Sequence, residues 1–257
     1  MKKIIIQIYE VQNPAEAEKL ITIGVDHIGS VILSESDWKI PELKETVESI
    51  RSSSANSSLI PLYNATDSIL RTCDYYRPDI VHFCEALVDR KDGGDFLHRL
   101  VRLQEDVKKR FPQIGIMRSI PIAPSGTSHL VPTLELAKVF EPTSDYFLTD
   151  TLLISDPDAD ADPQPVKGFV GITGRTCSWR TAAELVAASS IPVILAGGIS
   201  PANVTDGILQ VRPAGIDSCT RTNSLDDQGV PIRFQKDIFK VKQLVKAVRA
   251  AERKLET

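Results

Sequence analysis

The sequence contains little of what marks a membrane, secreted or nucleic-acid-binding protein. No apolar run approaches the ~18 residues that a helix needs to cross a bilayer. The first residues, KKIIIQIY, have the pattern of a strand and form too short an apolar segment for a secretory signal. The net charge of −4 predicts no basic face for nucleic acid, and the runs Lys2–Lys3 and Lys108–Arg110 are too short to change this. We therefore expect a small-molecule partner, no nucleic acid and no membrane.

Metal-binding and disulfide patterns are also absent from the sequence. The 4 cysteines form no CxxC pair. In a chain without a secretory signal such scattered thiols are typically reduced, so we expect a cytoplasmic protein. The histidines show no H-x-x-x-H spacing and no clustered acids, which argues against a metal site. His82, inside a predicted strand, is the histidine best placed to touch a ligand.

Short apolar runs alternate with amphipathic segments along the whole chain. Continuous apolar runs are typical of strands buried on both faces of a parallel sheet. Eight strand–helix units without a wide compositional break predict an α/β fold, a single (β/α)8 TIM barrel over residues 1–257. Asn13-Pro14 and Ser200-Pro201 each place a capping side chain before a proline, which is typical of a helix start. The predicted strands are Ile4–Tyr9, His27–Leu33, Leu59–Tyr63, Ile80–Cys84, Ile114–Ser119, Tyr146–Thr149, Val193–Ala196 and Gly215–Ser218. The predicted helices are Pro14–Ile23, Pro41–Ser52, Ala65–Tyr76, Asp95–Arg110, Leu130–Phe140, Ser178–Ala188, Pro201–Val211 and Ile238–Glu256.

Two segments, Leu87–Gly94 and Ser155–Lys167, interrupt this alternation. The second, SDPDADADPQPVK, has too little apolar content to pack in a core. We predict a mobile loop there, at the carboxyl ends of the strands where barrels carry their catalytic face. Its alternating aspartates lack the glycine turn and the terminal glutamate of a calcium-binding loop. They favour a solvated acidic loop over a cation site.

The stretch 191–223 is the most informative part of the chain. IPVILAGGISPANVTDGILQVRPAGIDSCTRTN contains two apolar strands, each followed by a loop of Gly, Ser, Thr or Asp. In a (β/α)8 barrel the last two strand ends often present backbone N–H groups to a phosphate. The pattern therefore predicts a phosphate cradle; the alternative is a pair of ordinary turns. Arg221 either pairs with the same phosphate or faces solvent. The residues of the predicted cradle are Gly197, Gly198, Ser218, Cys219 and Thr220.

Several motifs together resemble the phosphoribosylanthranilate isomerase family of tryptophan biosynthesis. AGGISPANVTDGILQVRPAGIDSC is similar to that family's GGL-x-P-x-NV…P-x-x-VDVSSG pattern, and QKDIFKVKQLVKAVR is similar to its ending. GITGRTCSW resembles its GG-[ST]-G-x-x-F-D-W loop, FLTDT resembles its strand-six LLDT, and the first thirty-odd residues resemble its amino-terminal region. The resemblance covers most of the chain unevenly. It implies a (β/α)8 barrel that performs a cofactor-free Amadori rearrangement, which converts an aminoaldose to an aminoketose.

The same resemblance implies a cysteine base on strand one and an aspartic acid as the general acid on strand six. Asp150 matches the acid. Tyr9 stands where the cysteine is expected, and Glu10 replaces the glycine that follows it. The arginine expected after strand two is missing, and Lys39 is the nearby cation before the next helix. The motifs thus indicate a retained phosphate site with a proton-transfer site that is rebuilt or lost.

Three side chains are candidates for the missing base. An unperturbed tyrosine has a pKa of ~10, so Tyr9 is a poor base at neutral pH. Glu10 and Glu85 follow strands one and four, and a carboxylate whose pKa is raised by burial is a common general base. We therefore predict a catalytic set that comprises Asp150, Tyr9, Glu10 and Glu85.

The remaining predicted binding residues are Arg118, Gly171, Thr173, Gly174 and Asp217. Arg118 matches a basic position of the family, and an arginine inside the barrel needs either a ligand or an acid such as Asp150 or Glu85 as its partner. The GITGRT segment resembles a loop that closes over the ligand, with a glycine-bearing helix entry as the alternative. Asp217 at the end of strand eight either hydrogen-bonds the ligand or orients the phosphate loop.

Three functions are compatible with these patterns. The favoured one is an isomerase of this family, or a close derivative, that acts on a phosphorylated aminosugar. A lyase or epimerase acting on another small phosphorylated metabolite is the second, because barrels share phosphate sites while their other loops vary. A barrel that binds a phosphate ligand without catalysis is the third. For each we expect a monomer or a homodimer.

Overall fold

Eight parallel strands close into a barrel, which confirms the predicted α/β fold. The computed structural model describes residues 3–88, 93–154 and 164–255, so the predicted acidic loop lies mostly outside the described residues. The strands are β1 (Ile5–Ile8), β2 (His27–Ile32), β3 (Asn56–Pro61), β4 (Ile80–Phe83), β5 (Gly115–Ile122), β6 (Tyr146–Thr151), β7 (Val193–Leu195) and β8 (Gly215–Ser218). Each pairs in parallel with its neighbours in chain order, and β1 pairs with β8 to close the sheet.

A ring of helices surrounds the strands. The helices are α1 (Pro14–Ile23), α2 (Pro41–Arg51), α3 (Thr66–Tyr76), α4 (Gly93–Arg110), α5 (Thr133–Phe140), α6 (Trp179–Ala188), α7 (Val204–Val211) and α8 (Ile238–Leu255). Successive helices contact one another, and α8 contacts α1. Over the described ranges, no helix is both long and apolar enough to span a membrane.

Two apolar clusters hold this architecture together. The larger cluster lies between strands and helices and includes Ile6, Ile8 and Leu20, all fully buried. The smaller one joins side chains from separate strands inside the barrel, among them Ile80 and Met117. Burying one such side chain contributes about 1.5–3 kcal/mol. Because the second cluster fills the centre, a ligand can reach only the ends of the strands.

Of the two helix starts predicted from capping residues, one is confirmed and the other is wrong. The side chain of Asn13 accepts a hydrogen bond from the Glu16 backbone N–H at 2.9 Å, and α1 begins at Pro14 as predicted. Ser200-Pro201 instead opens a turn, and α7 begins only at Val204. The reason is local, because the Asn203 side chain accepts from the Ser200 backbone N–H at 2.8 Å and holds that turn.

An antiparallel hairpin that the sequence analysis did not predict follows β8. Its strands are β9 (Asn223–Leu225) and β10 (Pro231–Lys236). The side chain of Asp226 accepts from the backbone N–H groups of Gln228 and Val230, which is an Asx-type turn. Gly229 in this turn has φ +79°, so the Asp-Asp-Gln-Gly segment was the available signal. The hairpin lies beside the carboxyl ends of β8 and β1.

Candidate active site

Two adjoining cavities open at the carboxyl ends of the strands. We call the first the polar cavity; its lining includes Thr173, Gly174, Gly197, Gly198, Thr220 and Arg221. We call the second the apolar cavity; its lining includes Val31, Ile60, Leu62, Leu148, Phe169 and Val170. Asp150, Ile172, Asp217 and Cys219 line both cavities. A ligand that fills both would therefore pass directly over two carboxyl groups.

The polar cavity depends on backbone that only glycine can provide. Gly197 and Gly198 have φ values of +86° and +61°. A Cβ on Gly198 would lie 2.7 Å from the carbonyl carbon of Arg175, and one on Gly197 would lie 2.4 Å from the Thr151 hydroxyl oxygen. The loop after β7 and the end of the GITGRT segment thus approach closely, and this exposes main chain to a ligand.

Hydrogen bonds between loops keep this cavity in shape. The exposed Arg221 donates from Nε to the Gly174 carbonyl at 2.9 Å, which joins the loop after β8 to the GITGRT segment. The buried Ser218 hydroxyl donates to the Ile199 carbonyl at 2.7 Å and does not line the cavity. Arg221 therefore lines the polar cavity, whereas the Ser218 hydroxyl does not and holds the loop after β7 from β8.

Asp150 ends β6 at the junction of the two cavities. Its Oδ1 accepts a hydrogen bond from the Thr151 backbone N–H at 2.8 Å. Gly171 packs against the other oxygen, and a Cβ there would lie 2.5 Å from Oδ2. Burial raises the pKa of Asp150 from 3.8 to about 7. A carboxyl group with such a pKa is still partly protonated at neutral pH, which suits a general acid.

Asp217 is the second carboxyl group in the wall that the two cavities share. It pairs with Gln7 of β1 in the barrel register, and Gln7 Nε2 donates to its Oδ1 at 3.2 Å. The residue is only 7% exposed. Burial, followed by the negative charge of Asp150, raises the pKa of Asp217 to about 8. The charge of Asp150 therefore makes it harder for Asp217 to ionise.

Tyr9 fills the barrel at the position where the resemblance implies a cysteine. Its ring covers Gly29 so closely that a Cβ there would lie 2.0 Å from Tyr9 Cδ1. Its hydroxyl is hydrogen-bonded to Ser58 Oγ at 2.5 Å and to His82 Nδ1 at 2.7 Å. Burial raises the pKa of Tyr9 well above its ordinary value, and burial lowers the pKa of His82 to about 3. Both groups are neutral at pH 7, which makes Tyr9 a poor proton acceptor.

Glu10 lines the apolar cavity but is already paired. It adopts a left-handed backbone conformation with φ +64°, which costs a non-glycine residue about 1–2 kcal/mol. Its carboxylate lies 2.6 Å from the guanidinium of Arg233 on β10, and Asn223 Nδ2 lies 3.5 Å away. The hairpin thus supplies the positive charge that pairs with Glu10. This ion pair makes Glu10 a weaker candidate base than the sequence alone indicates.

Glu85 and Arg118 form an ion pair with each other, and both side chains are fully buried. Arg118 Nε also donates to Gln104 of α4 at 2.7 Å, and its guanidinium lies 4.6 Å from the Phe140 ring centroid. These contacts place Arg118 between the strands and the helices, and neither member of the pair lines either cavity. The expectation of an arginine inside the barrel is corrected, because residue 118 has the outward parity on β5.

The apolar wall was not predicted. The segment after residue 164 crosses to β4, where Ala86 N donates to the Gly168 carbonyl and Val170 N to the Cys84 carbonyl, both at 2.9 Å. Phe169 is thereby placed in the wall of the apolar cavity. The available signal was the apolar run GFVGI next to the GITGRT motif. A second omission is Lys236, a buried residue whose ammonium donates to the Cys219 carbonyl at 3.1 Å.

The cavities bring together most of the predicted site. The predicted residues that line at least one cavity are Tyr9, Glu10, Asp150, Gly171, Thr173, Gly174, Gly197, Gly198, Asp217, Cys219, Thr220 and Arg221. In the part of the chain that the structure describes, no cluster of His, Cys, Asp and Glu is arranged to hold a metal ion. The fold and cavities define a (β/α)8 barrel with a glycine-lined polar cavity beside an apolar cavity.

The chain is similar to curated phosphoribosylanthranilate isomerases. No protein-family model matches the chain. It is 25% identical to the N-(5'-phosphoribosyl)anthranilate isomerase of Methanothrix thermoacetophila over 96% of this chain and 99% of the relative. It is 32% identical to isomerase 2 of Methanosarcina mazei, but that match covers 54% of this chain and just 57% of the relative. These similarities agree with the resemblance of the sequence motifs to the phosphoribosylanthranilate isomerase family.

Solved structures agree on the fold. Phosphoribosylanthranilate isomerase from Thermotoga maritima superposes with a TM-score of 0.63 at 16% identity, over 96% of this chain and 99% of that one. The isomerase from Pyrococcus furiosus gives 0.63 at 18% identity, over 96% and 99%. A third structure was solved with reduced 1-(o-carboxyphenylamino)-1-deoxyribulose 5-phosphate, and it gives 0.63 at 15% identity over 96% of this chain and 99% of that one.

Proposed function

We propose that this protein is a phosphoribosylanthranilate isomerase-like enzyme that converts a phosphorylated aminoaldose to the aminoketose by acid–base catalysis without a cofactor. The observation that carries the proposal is the position of Asp150 on the wall shared by a glycine-lined polar cavity and an apolar cavity. A ligand with a phosphate at one end and an apolar ring at the other would place its sugar over this carboxyl group.

Each part of the cavity suits one part of such a ligand. Gly197 and Gly198 expose main chain that can donate to phosphate, and Arg221 adds a positive charge at the rim. Leu148 and Phe169 offer apolar surface for an aromatic ring. Asp150, whose pKa burial raises to about 7, would donate a proton to the sugar ring oxygen and open the ring.

The relatives support this assignment without deciding the substrate. The ligand named for one solved isomerase carries both a carboxyphenylamino group and a 5-phosphate, so its two ends have the chemistry that these two cavities offer. We further propose a cytoplasmic enzyme, in keeping with its four unpaired cysteines. Its assembly as a monomer or homodimer is part of the same proposal.

One observation favours a second candidate function. Tyr9 fills the interior at strand one with a neutral phenol, whereas the family resemblance implies a cysteine there. A retained phosphate cradle beside altered proton-transfer groups fits a lyase or epimerase that acts on another small phosphorylated metabolite. If the altered groups transfer no proton at all, the protein is a barrel that binds a phosphate ligand without catalysis.

The direct test is turnover of phosphoribosylanthranilate generated in situ and followed by the loss of its fluorescence. We expect the wild type to convert it and Asp150→Asn to be slower by about 10²- to 10⁴-fold, the usual contribution of a general acid. Asp106→Asn on the exposed face of α4 makes the same chemical change away from the cavities and should behave like the wild type. No conversion at enzyme concentrations near that of the substrate would reject the reaction.

A binding measurement separates the remaining candidates. Inorganic phosphate should raise the melting temperature of the wild type and of Asp150→Asn, because Gly197, Gly198 and Arg221 are unchanged in both. Phosphate binding without turnover would favour the lyase, epimerase or binding reading. If the protein neither binds phosphate nor converts the substrate, the assignment of a phosphate site is rejected.

A further inference from the structure

The apolar and polar cavities share a second carboxyl group besides Asp150. We infer that Asp217 is the second proton-transfer residue of this site and acts as its general base. The inference rests on the proposed isomerisation, which needs one group to donate a proton and another to remove one. Its support is the position of Asp217 on the common wall of both cavities, opposite Gln7 of β1 in the barrel register.

The contacts of Asp217 leave one oxygen available. Gln7 Nε2 donates to Oδ1, which orients the carboxyl group from the strand that carries Tyr9. Among the described residues, neither Asp150 nor Asp217 forms a salt bridge. Glu10, by contrast, is paired with Arg233. Asp217 is therefore the cavity carboxylate that remains free to take a proton alongside Asp150.

The other titratable groups around Asp217 are poor acceptors. Cys219 and Cys84 line the same wall, and burial raises the pKa of both thiols, so they stay protonated. Tyr9 is a neutral phenol for the same reason. The ammonium group of Lys236 favours the ionised form of Asp217 from the hairpin side, although burial and the Asp150 charge outweigh it.

The two carboxyl groups behave as a pair that retains one proton near neutral pH. Burial raises the pKa values of Asp150 and Asp217 to about 7 and about 8, and the charge of Asp150 further opposes the ionisation of Asp217. When one is ionised the other tends to stay protonated, so the proton belongs to the pair. The proposed reaction uses the arrangement of the pair in which Asp150 carries that proton and Asp217 is ionised, which provides one donor and one acceptor.

The proposed steps balance in atoms and charge. Protonated Asp150 gives its proton to the sugar ring oxygen; the bond from that oxygen to C1 breaks, and an iminium forms between C1 and the amine nitrogen. The Asp217 carboxylate removes the proton from C2, and the electron pair of that C–H bond neutralises the iminium to give an enolamine. Asp217 then returns its proton to C1 while Asp150 accepts the proton of the C2 hydroxyl group. The product is the aminoketose, and both carboxyl groups regain their starting states.

Asp217→Asn tests this role because it keeps the size of the side chain while removing the proton acceptor. We expect kcat for phosphoribosylanthranilate to fall by about 10²- to 10⁴-fold, with a much smaller change in KM. In the wild type, deuterium at C2 should slow turnover, since the C2–H bond breaks in the step assigned to Asp217. Asp106→Asn is again the matched control, and melting curves verify that each variant folds.

A titration that needs no substrate complements the kinetics. With ¹³C-carboxyl aspartate, the Asp217 signal should titrate well above its ordinary range in the wild type and at lower pH in Asp150→Asn. If the wild type fails to convert the substrate, the proposed isomerisation is rejected, and this titration still decides whether the carboxyl groups form a coupled pair. Turnover in Asp217→Asn within a few-fold of the wild type would overturn the inference. The inference would also be overturned if Asp217 titrated in its ordinary range and its pKa were the same in Asp150→Asn.

Discussion

The half of the barrel mouth built by β6 to β8 differs in kind from the half built by β1 to β4. The β7 and β8 loops shape their cavity with glycine backbone, such as Gly197 and Gly198. The other half is occupied by buried side-chain partnerships, including Tyr9 with His82 and Glu10 with Arg233. Backbone recognition of a phosphate depends on chain geometry, whereas proton transfer depends on individual side chains. The glycine loops of the first half can therefore keep one backbone geometry while individual side chains set the chemistry, among them Asp150 and Asp217 in that half and Tyr9 in the other.

The largest effect on stability is expected outside both halves, at the buried pair of Arg118 and Glu85. Arg118→Met leaves an unpaired buried carboxylate, which should destabilise the protein by about 3–5 kcal/mol. Urea denaturation measures this loss, and the double variant Arg118→Met/Glu85→Gln should recover part of it. The phosphate affinity of the folded variant should match that of the wild type. A specific loss of phosphate binding would instead indicate that Arg118 contacts the ligand.

Gly198→Ala tests whether the glycine loop after β7 binds phosphate. The new Cβ would collide with the Arg175 main chain in a backbone conformation of φ +61°, so we expect a loss of about 1–3 kcal/mol in stability. Inorganic phosphate should protect this variant from thermal unfolding much less than it protects the wild type. The matched control is Gly24→Ala at the end of α1, which also has positive φ but meets no atom within 4 Å. Equal phosphate protection of both variants would contradict the cradle.

The pH dependence of stability reports on Asp150 and Asp217, the two carboxyl groups at the ends of β6 and β8. Burial raises the folded-state pKa of Asp150 and Asp217 from 3.8 to about 7 and about 8. Their protonated forms thus favour the folded state below pH 4, and this contribution is lost as pH rises through 7 and 8. Each carboxyl group changes stability by at most about 1.4 kcal/mol per pH unit. Denaturation of the unliganded protein from pH 4 to 9 should show this decline, and Asp217→Asn should flatten it.

The smallest effect is expected from Tyr9→Phe. Removing the hydroxyl group leaves Ser58 and His82 without a shared partner inside the barrel, at a cost of about 1–2 kcal/mol. Thermal unfolding measures this cost. The pH profile of turnover should keep its shape, because a neutral phenol takes no part in proton transfer. Loss of the limb that reports the general base would instead identify Tyr9 as that base.

Several features could be predicted because they depend on local sequence. The boundaries of α1 and β8 follow from caps and apolar runs and agree with the structure. Gly197 and Gly198, predicted from the sequence after β7, line the polar cavity, and phosphate binding there stays a prediction. The predicted start of α7 was wrong because the Asn203 side chain accepts from the Ser200 backbone N–H and holds a turn there. Arg118 was assigned to the wrong side of the sheet, since a side chain changes face with each residue of a strand and its partners lie on distant helices.

The amino-acid sequence by itself determined the barrel, the glycine cradle and Asp150, since each is encoded by periodicity or by a motif within a few residues. Tertiary structure decided which acidic groups remain available for chemistry. Glu10 is paired with a hairpin residue more than 200 positions away, and Glu85 is paired with Arg118 across two strands. Asp217 became the second carboxyl group of the site because barrel closure sets β8 beside β1 and next to Asp150. Such pairings depend on distances between remote residues, and only the folded chain brings those residues together.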